Sequence, residues 1–412
     1  MTELTARELL LMLYDTALDA VDGHLLVNQW CRQNLTGNVS SQPKKFTHCI
    51  AIGKAAPAML QGALDFSQPP KQSLLICPPA KITRALTKNK AVTCITSSHP
   101  VPDEMSLAAG DALITFLSNM SNDDELLVLI SGGASSLVEM LAENISLEQL
   151  QNINNYLLAS GKDIHQMNAW RQKFSQIKGG GLLNWVKGDS VTQLLLSDVK
   201  GDKAEFIGSG LLLHSDVTTE FDEYLKNLSL VANAGLPKDK AEISVNTHII
   251  GNIKKAMLAV HDVAIAEGLS SVIYDEFLEG DVSEVAEKLY STLQDAKPGI
   301  HIWGGETTVC LPEKIGVGGR NLSLALRFAE YLSDTPDLHL LAAGTDGVDG
   351  NSKCAGAVVS MYTSMKATSM GFDIKKEIEK ANAGIVLMAT DDLVRGEHSN
   401  TNVMDIVIAY KL

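Results

Sequence analysis

Short apolar segments alternate with helical patterns along most of the chain, and this alternation constrains the fold more than any other feature. From Phe46 onward, segments typical of buried strands lie at residues 46–52, 73–77, 91–96, 125–130, 191–197, 247–251, 271–275, 299–303, 338–344 and 403–410. Residues of helical spacing separate many of these segments, for example from Ala55 and over 281–294. Strands and helices that alternate in this way form parallel α/β layers. The pattern therefore predicts an α/β protein.

The length of 412 residues suggests two or three domains. Glycine, proline and charged residues interrupt the alternation at AGLPKDK, residues 234–240. We therefore predict two domains, 1–240 and 241–412. Between the strands, residues 147–187 are predicted to be mainly helical, with an interruption at IKGGG, residues 177–181.

The composition narrows the classes of partner and compartment. The formal net charge of −15 argues against a nucleic-acid partner, because binding a phosphate backbone needs a surplus of Lys and Arg. No apolar run approaches the roughly 20 residues that a membrane span requires. The six cysteines form no C-x-x-C pair, and the first residues lack the basic region of a signal peptide. We expect buried, reduced thiols and a cytoplasmic location without membrane partners.

The loops that follow the predicted strands are the places to search for a ligand, since open α/β sheets bind ligands beyond the carboxyl ends of their strands. Several of these loops are rich in Gly, Ser and charge: GKAA (53–56), SGGASS (131–136), SDVKGD (197–202), WGGETT (303–308) with GVGGRN (316–321), and GTDGVDG (344–350). One such loop by itself usually forms only a turn. Their recurrence in one chain favours a binding site.

The segment SGGASS has the composition of an anion-binding loop. Gly132 and Gly133 would let backbone N–H groups approach an anion, and a helix that begins here would add positive dipole charge. Ser135 or Ser136 could donate a hydroxyl hydrogen bond. The alternative is a tight strand-to-helix turn in which a serine only caps the helix.

Two cations occupy comparable positions at strand ends. Lys54 follows Gly53 at the end of the first predicted strand and could place a compact charge on a phosphate. Arg320 follows a flexible glycine stretch and offers a planar fork for phosphate or carboxylate oxygens. For both residues a solvated surface position is the alternative.

Carboxylates supply the candidate metal ligands. ATP chemistry needs Mg²⁺, which takes one or two carboxylates together with phosphate oxygens and water. Asp346 and Glu306 stand at strand ends in the second half of the chain and could face a cleft. Asp198 is a further candidate, whereas turn formation is favoured for Asp202 and Asp349.

Several well-known catalytic motifs are absent from the sequence. It contains no G-x-x-x-x-G-K-[ST], no G-x-G-x-x-G after a strand, no G-x-S-x-G, and no histidine pair with zinc spacing. His99, between Ser98 and Pro100, is interpreted as a satisfied loop histidine in preference to a general base.

Taken together, the loops resemble a known family. The matching segments are IAIGKAA (50–56), SSHPVPDEMS (97–106), LISGGASSL (129–137), NAWRQKFSQIKGGGLL (168–183), LLSDVKGD (195–202), GGETTV (304–309), GVGGRNLSLAL (316–326), AAGTDGVDG (342–350) and NTNVMDIVI (400–408). In these segments the chain resembles the type-2 glycerate kinases of the MOFRL family, some of whose members are named hydroxypyruvate reductase.

The resemblance implies a two-domain α/β fold with the active site in the interdomain cleft. The N-terminal domain is expected to be Rossmann-like with a mainly parallel sheet, and the C-terminal domain smaller with a mixed sheet. The reaction implied is phosphorylation of glycerate to 2-phosphoglycerate, with ATP and Mg²⁺. A homodimer is one expectation for the assembly.

The resemblance also points to Lys54 and Arg320 as the catalytic cations. Apart from the resemblance, the positions of the loop residues give Asp346 and Glu306 as the expected metal ligands. The expected binding residues for the nucleotide or the acid are Gly132, Gly133, Ser135, Ser136, Gly304, Gly305 and Asp198.

The chain departs from the family pattern in several segments: residues 208–213, 322–323, 352–353 and 395–400. Loops of this kind shape a nucleotide or acid pocket, so two alternatives stay open. One is an NAD(P)H-dependent hydroxypyruvate reductase, against which the absent dinucleotide motif weighs. The other is a non-catalytic metabolite-binding homologue.

Overall fold

The computed structural model describes residues 4–35, 45–159, 170–214, 243–333, 335–396 and 399–412. The chain forms two compact units, one of residues 23–251 and one of residues 1–22 together with 252–412. These units differ from the predicted domains at two places. The first helix, α1 (Ala6–Ala20), packs on strands of the second unit, and the last strand of the first sheet extends beyond residue 240.

A six-stranded parallel sheet forms the centre of the unit of residues 23–251. Its strands are β1 (His48–Ile52), β2 (Gln72–Cys77), β3 (Val92–Thr96), β4 (Leu126–Ile130), β5 (Ser190–Leu196) and β6 (Ser244–Gly251). Their order is β3-β2-β1-β4-β5-β6, with every neighbouring pair parallel. Strands β1 and β4 are buried at every residue, as expected for a parallel sheet that is covered on both faces. The Rossmann-like prediction is confirmed.

Helices flank this sheet: α2 (Gly23–Leu35), α3 (Ala56–Leu64), α4 (Arg84–Lys88), α5 (Glu104–Ser118), α6 (Ala134–Leu137) and α7 (Leu147–Ala159). Apolar residues of β1 and β4, such as Ile50 and Val128, form one core with Leu113 of α5. The prediction of a mainly helical 147–187 agrees with α7 and with residues 170–173, which are helical, but it is wrong for residues 174–187. Beyond α7 the described part of this stretch contains a short 3₁₀ helix, Gly181–Asn184, after Gly179 and Gly180 with positive φ.

A second six-stranded sheet forms the centre of the other unit. Its strands are β7 (Ser271–Ile273), β8 (Gly299–Gly305), β9 (Leu338–Gly344), β10 (Cys354–Val359), β11 (Leu393–Arg395) and β12 (Asp405–Lys411), in the order β11-β10-β9-β12-β8-β7. The pair β7–β8 is parallel and the remaining pairs are antiparallel. The mixed sheet is therefore confirmed. Strands β10 and β11 were not predicted from the sequence.

The helices of this second unit, besides α1, are α8 (Ile253–Ala266), α9 (Val282–Asp295), α10 (Arg320–Tyr331), α11 (Met361–Ser369), α12 (Ile374–Glu379) and α13 (Ala383–Ala389). Helix α10 is the most central of them, because Leu322, Leu326 and Phe328 are fully buried in the core of the unit. In the described part of the chain, no helix combines the length and apolarity needed to cross a membrane. The six cysteines form no disulfide, and Cys310 is exposed instead of buried.

Candidate functional site

The turns after β1 and β4 lie against each other at the point where the strand order of the parallel sheet reverses. The Lys54 amide donates a hydrogen bond to the Gly132 carbonyl at 2.9 Å, and the Ser131 amide donates to Ile52 at 3.0 Å. The Ser131 hydroxyl accepts from the Ala55 amide at 3.0 Å. This reversal is the place where open α/β sheets bind ligands. The structure therefore brings the predicted segments GKAA and SGGASS together.

Two glycines make this close approach sterically feasible. Gly53 has a φ of +132°, and a Cβ there would overlap the Ser131 hydroxyl and lie 2.6 Å from the Ser131 carbonyl oxygen. Gly133 has a φ of +84°, and a Cβ there would lie 2.9 Å from His99 Cδ2 and 3.3 Å from Lys54 Cγ. The side chains of Lys54 and His99 therefore flank Gly133. His99, interpreted as a loop histidine, lies at the turn that carries the predicted cation.

The serines of SGGASS make local contacts, and the predicted helix is short. Helix α6 has 4 residues, and Gly133 precedes it in the left-handed conformation without a side-chain cap. One turn carries little macrodipole, so the expected dipole contribution is corrected to a minor one. The Ser135 hydroxyl shares a hydrogen bond of 2.6 Å with Ser209, and the Ser136 hydroxyl donates to the Gly133 carbonyl at 3.2 Å.

Asp198 and Asp202 occupy the loop after β5, the strand beside β4. Asp198 is half-buried, two residues beyond the last residue of β5. Asp202 has a φ of +53°, and its amide donates to the Val199 carbonyl at 3.1 Å. The turn predicted at Asp202 is present.

A pocket of about 310 Å³ opens beside the SGGASS turn within the unit of residues 23–251. Its walls include His99, Gly133, Ser135, Ser136, Asn154, Asn155, Arg171 and Lys178. The Lys178 ammonium forms a buried ion pair with Glu139, which also accepts a 2.5 Å hydrogen bond from the Ser175 hydroxyl. Arg171 donates its Nε–H to the Asn154 side-chain oxygen at 3.0 Å. Burial lowers the pKa of Arg171 below its ordinary value.

In the second unit, Arg320 is the first residue of α10 and forms a forked contact with Asp405. The Arg320 Nε lies 2.6 Å from Asp405 Oδ2, and its Nη2 lies 3.2 Å from Asp405 Oδ1. The third guanidinium nitrogen, Nη1, lies 2.5 Å from Glu306 Oε1. Asp405 begins β12 and is in register with Gly305 of β8 and Gly344 of β9. The sheet register therefore places this carboxylate between the two strand ends that precede Glu306 and Asp346.

Burial determines the ionisation of this ion pair. Asp405 is 6% exposed. Burial raises the pKa of Asp405 to about 6, although the charge of Arg320 acts in the opposite direction. Burial by itself would lower the pKa of Arg320, but Asp405, followed by Glu306, outweighs it and raises that pKa. Arg320 is thus a permanently charged guanidinium whose orientation Asp405 fixes.

Asp349 stabilises the start of α10 from the GTDGVDG loop. Its carboxylate accepts hydrogen bonds from the Asn321 amide at 3.1 Å and from the Leu322 amide at 2.8 Å. Asp349 is 2% exposed, and burial raises its pKa. A side chain would not fit at Gly319, since a Cβ there would lie 2.5 Å from Asp349 Oδ1. The turn predicted at Asp349 is present, since its carbonyl accepts a hydrogen bond from the Ser352 amide at 3.1 Å, and its side chain additionally caps the helix that carries Arg320.

Gly304 and Gly305 are the last residues of β8, and both are buried. A Cβ on Gly304 would overlap the Ile253 side chain, and a Cβ on Gly305 would overlap the Leu278 carbonyl. Packing of neighbouring elements accounts for both glycines. The cofactor-binding role of Gly304 and Gly305 stays a prediction.

Two carboxylates border Gly344 at the end of β9. A Cβ on Gly344 would lie 3.3 Å from Asp405 Oδ1 and 3.4 Å from Asp346 Oδ1. Asp346 is half-buried and accepts a hydrogen bond from the Val348 amide at 3.1 Å. The described residues contain no group of three or more metal-binding side chains. Mg²⁺ in nucleotide sites takes only one or two carboxylates, so Asp346 fits such an ion. Glu306, the other predicted metal ligand, is engaged in the ion pair with Arg320.

Several residues of these sites were not singled out from the sequence, among them Asp405, Arg171 and Asn154. Asp405 lies in the segment NVMDIVI, directly before a buried apolar run, and a carboxylate in such a position indicates a residue with a charged partner. Arg171 and Asn154 lie in a stretch interpreted only as helix. Nothing in their spacing identifies them as a pair.

Comparison with known proteins identifies relatives along the whole chain. Residues 9–243 match the model of a domain of unknown function, DUF4147, and residues 299–405 match the model of the MOFRL family. A D-glycerate 2-kinase of Thermotoga maritima is 32% identical over 76% of this chain and 78% of its own length. A glycerate 2-kinase of Pyrococcus horikoshii is 30% identical over 99% of this chain and 98% of its own length. A putative hydroxypyruvate reductase of Agrobacterium vitis is 32% identical over 87% of this chain and 98% of its own length.

Solved structures agree with these sequence matches. The crystal structure of a glycerate kinase from Thermotoga maritima superposes with a TM-score of 0.82 at 27% identity and covers 98% of this chain and 99% of that one. A Pyrococcus horikoshii protein superposes with a TM-score of 0.77 at 28% identity, and the match covers 100% of this chain and 99% of that one. The chain therefore belongs to the MOFRL family, together with the glycerate 2-kinases that it matches along most of its length.

Proposed function

We propose that this protein transfers the γ-phosphoryl group of ATP to the C2 hydroxyl of glycerate. The observation that carries the proposal is the position of Lys54, which packs against Gly133 where the strand order of the parallel sheet reverses. The glycerate kinase names of full-length relatives support the same chemistry. A cytoplasmic location and a homodimer remain predictions from the sequence.

Phosphoryl transfer depends mainly on alignment and on neutralising the charge of the moving group. Lys54 would place a compact positive charge beside the glycine turn, and the guanidinium of Arg320 would donate hydrogen bonds to phosphoryl oxygens. Asp405 holds that guanidinium in one orientation, so little reorganisation is needed during the reaction. Asp346 would hold Mg²⁺, which supplies further charge neutralisation at the phosphates when it is bound.

The reductase alternative has less support in the geometry. The strand order is one that binds dinucleotides, but the turn after β1 reads Gly53-Lys54-Ala55 and lacks the further glycines that let a pyrophosphate approach the backbone. A lysine side chain packs on the neighbouring glycine turn instead.

A pair of assays on the purified protein tests the proposal. ADP formation that depends on D-glycerate is expected, with 2-phosphoglycerate identified as the product by NMR. Oxidation of NADH with hydroxypyruvate is expected to be absent. NADH oxidation without ADP formation would favour the reductase, and neither activity would favour a non-catalytic binding protein.

Substitution of the two cations tests their roles. Lys54→Ala and Arg320→Ala should each lower kcat about 10²- to 10³-fold while the proteins stay folded, as when one preorganised donor is lost. Arg320→Lys should also be poor, because an ammonium does not reproduce the planar fork. If both cations act on one phosphoryl group, the double variant should lose much less than the product of the single losses. The exposed lysines Lys88 and Lys314 provide alanine controls with unchanged kcat.

A further inference from the structure

The pocket beside the SGGASS turn is large enough to hold a small organic acid. Its volume of about 310 Å³ is at the low end of the range of about 300–1,000 Å³ found for ligand pockets. A three-carbon acid suits this volume better than a nucleoside triphosphate does. The pocket also reaches Gly133, against which the Lys54 side chain packs. A molecule bound here would lie beside the proposed catalytic lysine.

The two cations of this pocket differ in how their charge is balanced. The Lys178 ammonium pairs with Glu139, whose side chain has no exposed surface. Among the described residues, Arg171 forms no ion pair with a carboxylate, and the neutral amide of Asn154 is its hydrogen-bond partner. A half-buried guanidinium that has no carboxylate partner among the described residues is costly, and a carboxylate ligand would offset that cost. The charge pattern thus favours an anion at Arg171.

The guanidinium is also held in a fixed place. Trp170 and Phe174 on either side of Arg171 are buried, and their rings stack with centroids 6.2 Å apart. They pack with Leu150 of α7, and the same helix carries Asn154. Asn154 accepts the Nε–H of Arg171, so this contact does not engage the two terminal nitrogens, whose N–H groups can donate to a ligand. This arrangement preorganises a planar fork for a carboxylate.

We propose that Arg171, oriented by Asn154, binds the carboxylate of the acceptor substrate and thereby selects a hydroxy acid over a neutral polyol. The carboxylate lies at the Arg171 side of the pocket, and the hydroxyl that is phosphorylated lies toward Gly133 and Lys54. This inference rests on the proposed kinase function, and it adds a specificity residue that acts on the acid and not on ATP.

The test compares a charged substrate with its neutral counterpart. In Arg171→Gln, the KM for D-glycerate should rise about ten- to hundredfold, as expected for the loss of a charge-assisted hydrogen bond, while the KM for ATP stays within about twofold. The wild-type preference for D-glycerate over its amide, glyceramide, should fall by a similar factor. The matched control is Lys173→Gln, which removes an exposed positive charge two residues away and should change neither value.

The remaining outcomes separate this inference from the kinase proposal. Suppose that the wild type is active. If the KM for D-glycerate is unchanged in Arg171→Gln, the role of Arg171 is overturned and the kinase function stays intact. The same holds if the variant lowers only kcat and does so equally for D-glycerate and glyceramide. If Arg171→Gln does not fold, Arg171→Lys decides, because it keeps the charge but loses the fork; an unchanged KM for D-glycerate then overturns the inference. If the wild type forms no ADP, the kinase proposal fails, and calorimetry with D-glycerate decides: binding that Arg171→Gln abolishes supports the inference, and no binding overturns it.

Discussion

Replacing Asp405 by asparagine should stabilise the protein at neutral pH while it lowers catalytic activity. Asp405 is 6% exposed, and burial raises its pKa from 3.8 to about 6 even with Arg320 in contact. At about 1.4 kcal/mol per pH unit, the ionised carboxylate costs the folded state about 3 kcal/mol relative to its protonated form. Asparagine resembles the protonated form in shape and charge, so it should avoid most of this cost at pH 7.5.

The pH dependence has a definite sign. A carboxyl group whose pKa is raised by folding gives the folded state additional stability that is fully present below pH 3.8. That stability is lost as the pH rises through about 6. At pH 4 the carboxyl group is already partly ionised in the unfolded chain, so the free energy of unfolding of Asp405→Asn minus that of the wild type should increase by about 2 kcal/mol between pH 4 and pH 7.5. Other titrating carboxylates contribute to both proteins and cancel in the difference.

Urea denaturation across this pH range measures the difference, with the exposed Asp337→Asn as a control that should show no such trend. In parallel, kcat of Asp405→Asn should fall about ten- to hundredfold. This loss is smaller than that for Arg320→Ala, since Arg320 keeps its charge and its contact with Glu306. A variant that is less stable than the wild type by the same amount at every pH would refute the argument. Unchanged kcat would refute the orienting role of Asp405.

Two further predictions concern the strand ends. Asp346→Asn should raise the Mg²⁺ concentration for half-maximal activity about tenfold in a Mg²⁺ titration, because it removes the charge of the proposed ligand. Asp337→Asn, at the opposite end of β9, should leave that Mg²⁺ concentration unchanged. Gly53→Ala should lower the free energy of unfolding by more than about 2 kcal/mol, because the new Cβ overlaps Ser131 at a φ of +132°. In Gly201→Ala, where φ is +79° and the new Cβ meets no neighbour within 4 Å, the free energy of unfolding should fall by only about 1 kcal/mol. Equal losses for the two variants in urea denaturation would contradict the clash at Gly53.

The parallel half of the fold was predictable because its strands are continuous apolar runs. Segments such as LLVLI at β4 are buried at every residue, so sequence alone identifies them. Strand β10 reads CAGAVV, and its glycine and alanines gave no comparable signal. Gly356 is needed because a Cβ there would overlap the Ala342 carbonyl of the neighbouring strand. The position of α1 in the second unit follows from tertiary packing, which local periodicity does not contain.

The predicted cations and the residues that orient them differ in how far sequence could identify them. Lys54 and SGGASS were predictable as neighbours, since the carboxyl ends of adjacent parallel strands meet at one edge. Asp405 comes from an antiparallel strand 85 residues after Arg320, so only the sheet register brings it to the strand ends of β8 and β9. Arg171 and Asn154 meet through an apolar cluster around Trp170. Long-range packing, and not motif spacing, builds the orientation of the charged groups.

The two carboxylates on Arg320 are held very differently, and this asymmetry suits the role proposed for Arg320, in which its N–H groups donate to a phosphoryl oxygen. Asp405 is buried and contacts the edge formed by Nε and Nη2, whereas Glu306 is 44% exposed and contacts Nη1. An exposed ion pair contributes only about 0–1 kcal/mol, so an incoming phosphate can displace Glu306 at little cost. Displacing the Asp405 carboxylate from Arg320 would instead leave a buried anion without its partner, which is costly. One edge of the guanidinium is therefore fixed by the fold, and in the proposed mechanism the other edge exchanges its contact with Glu306 for a phosphoryl oxygen.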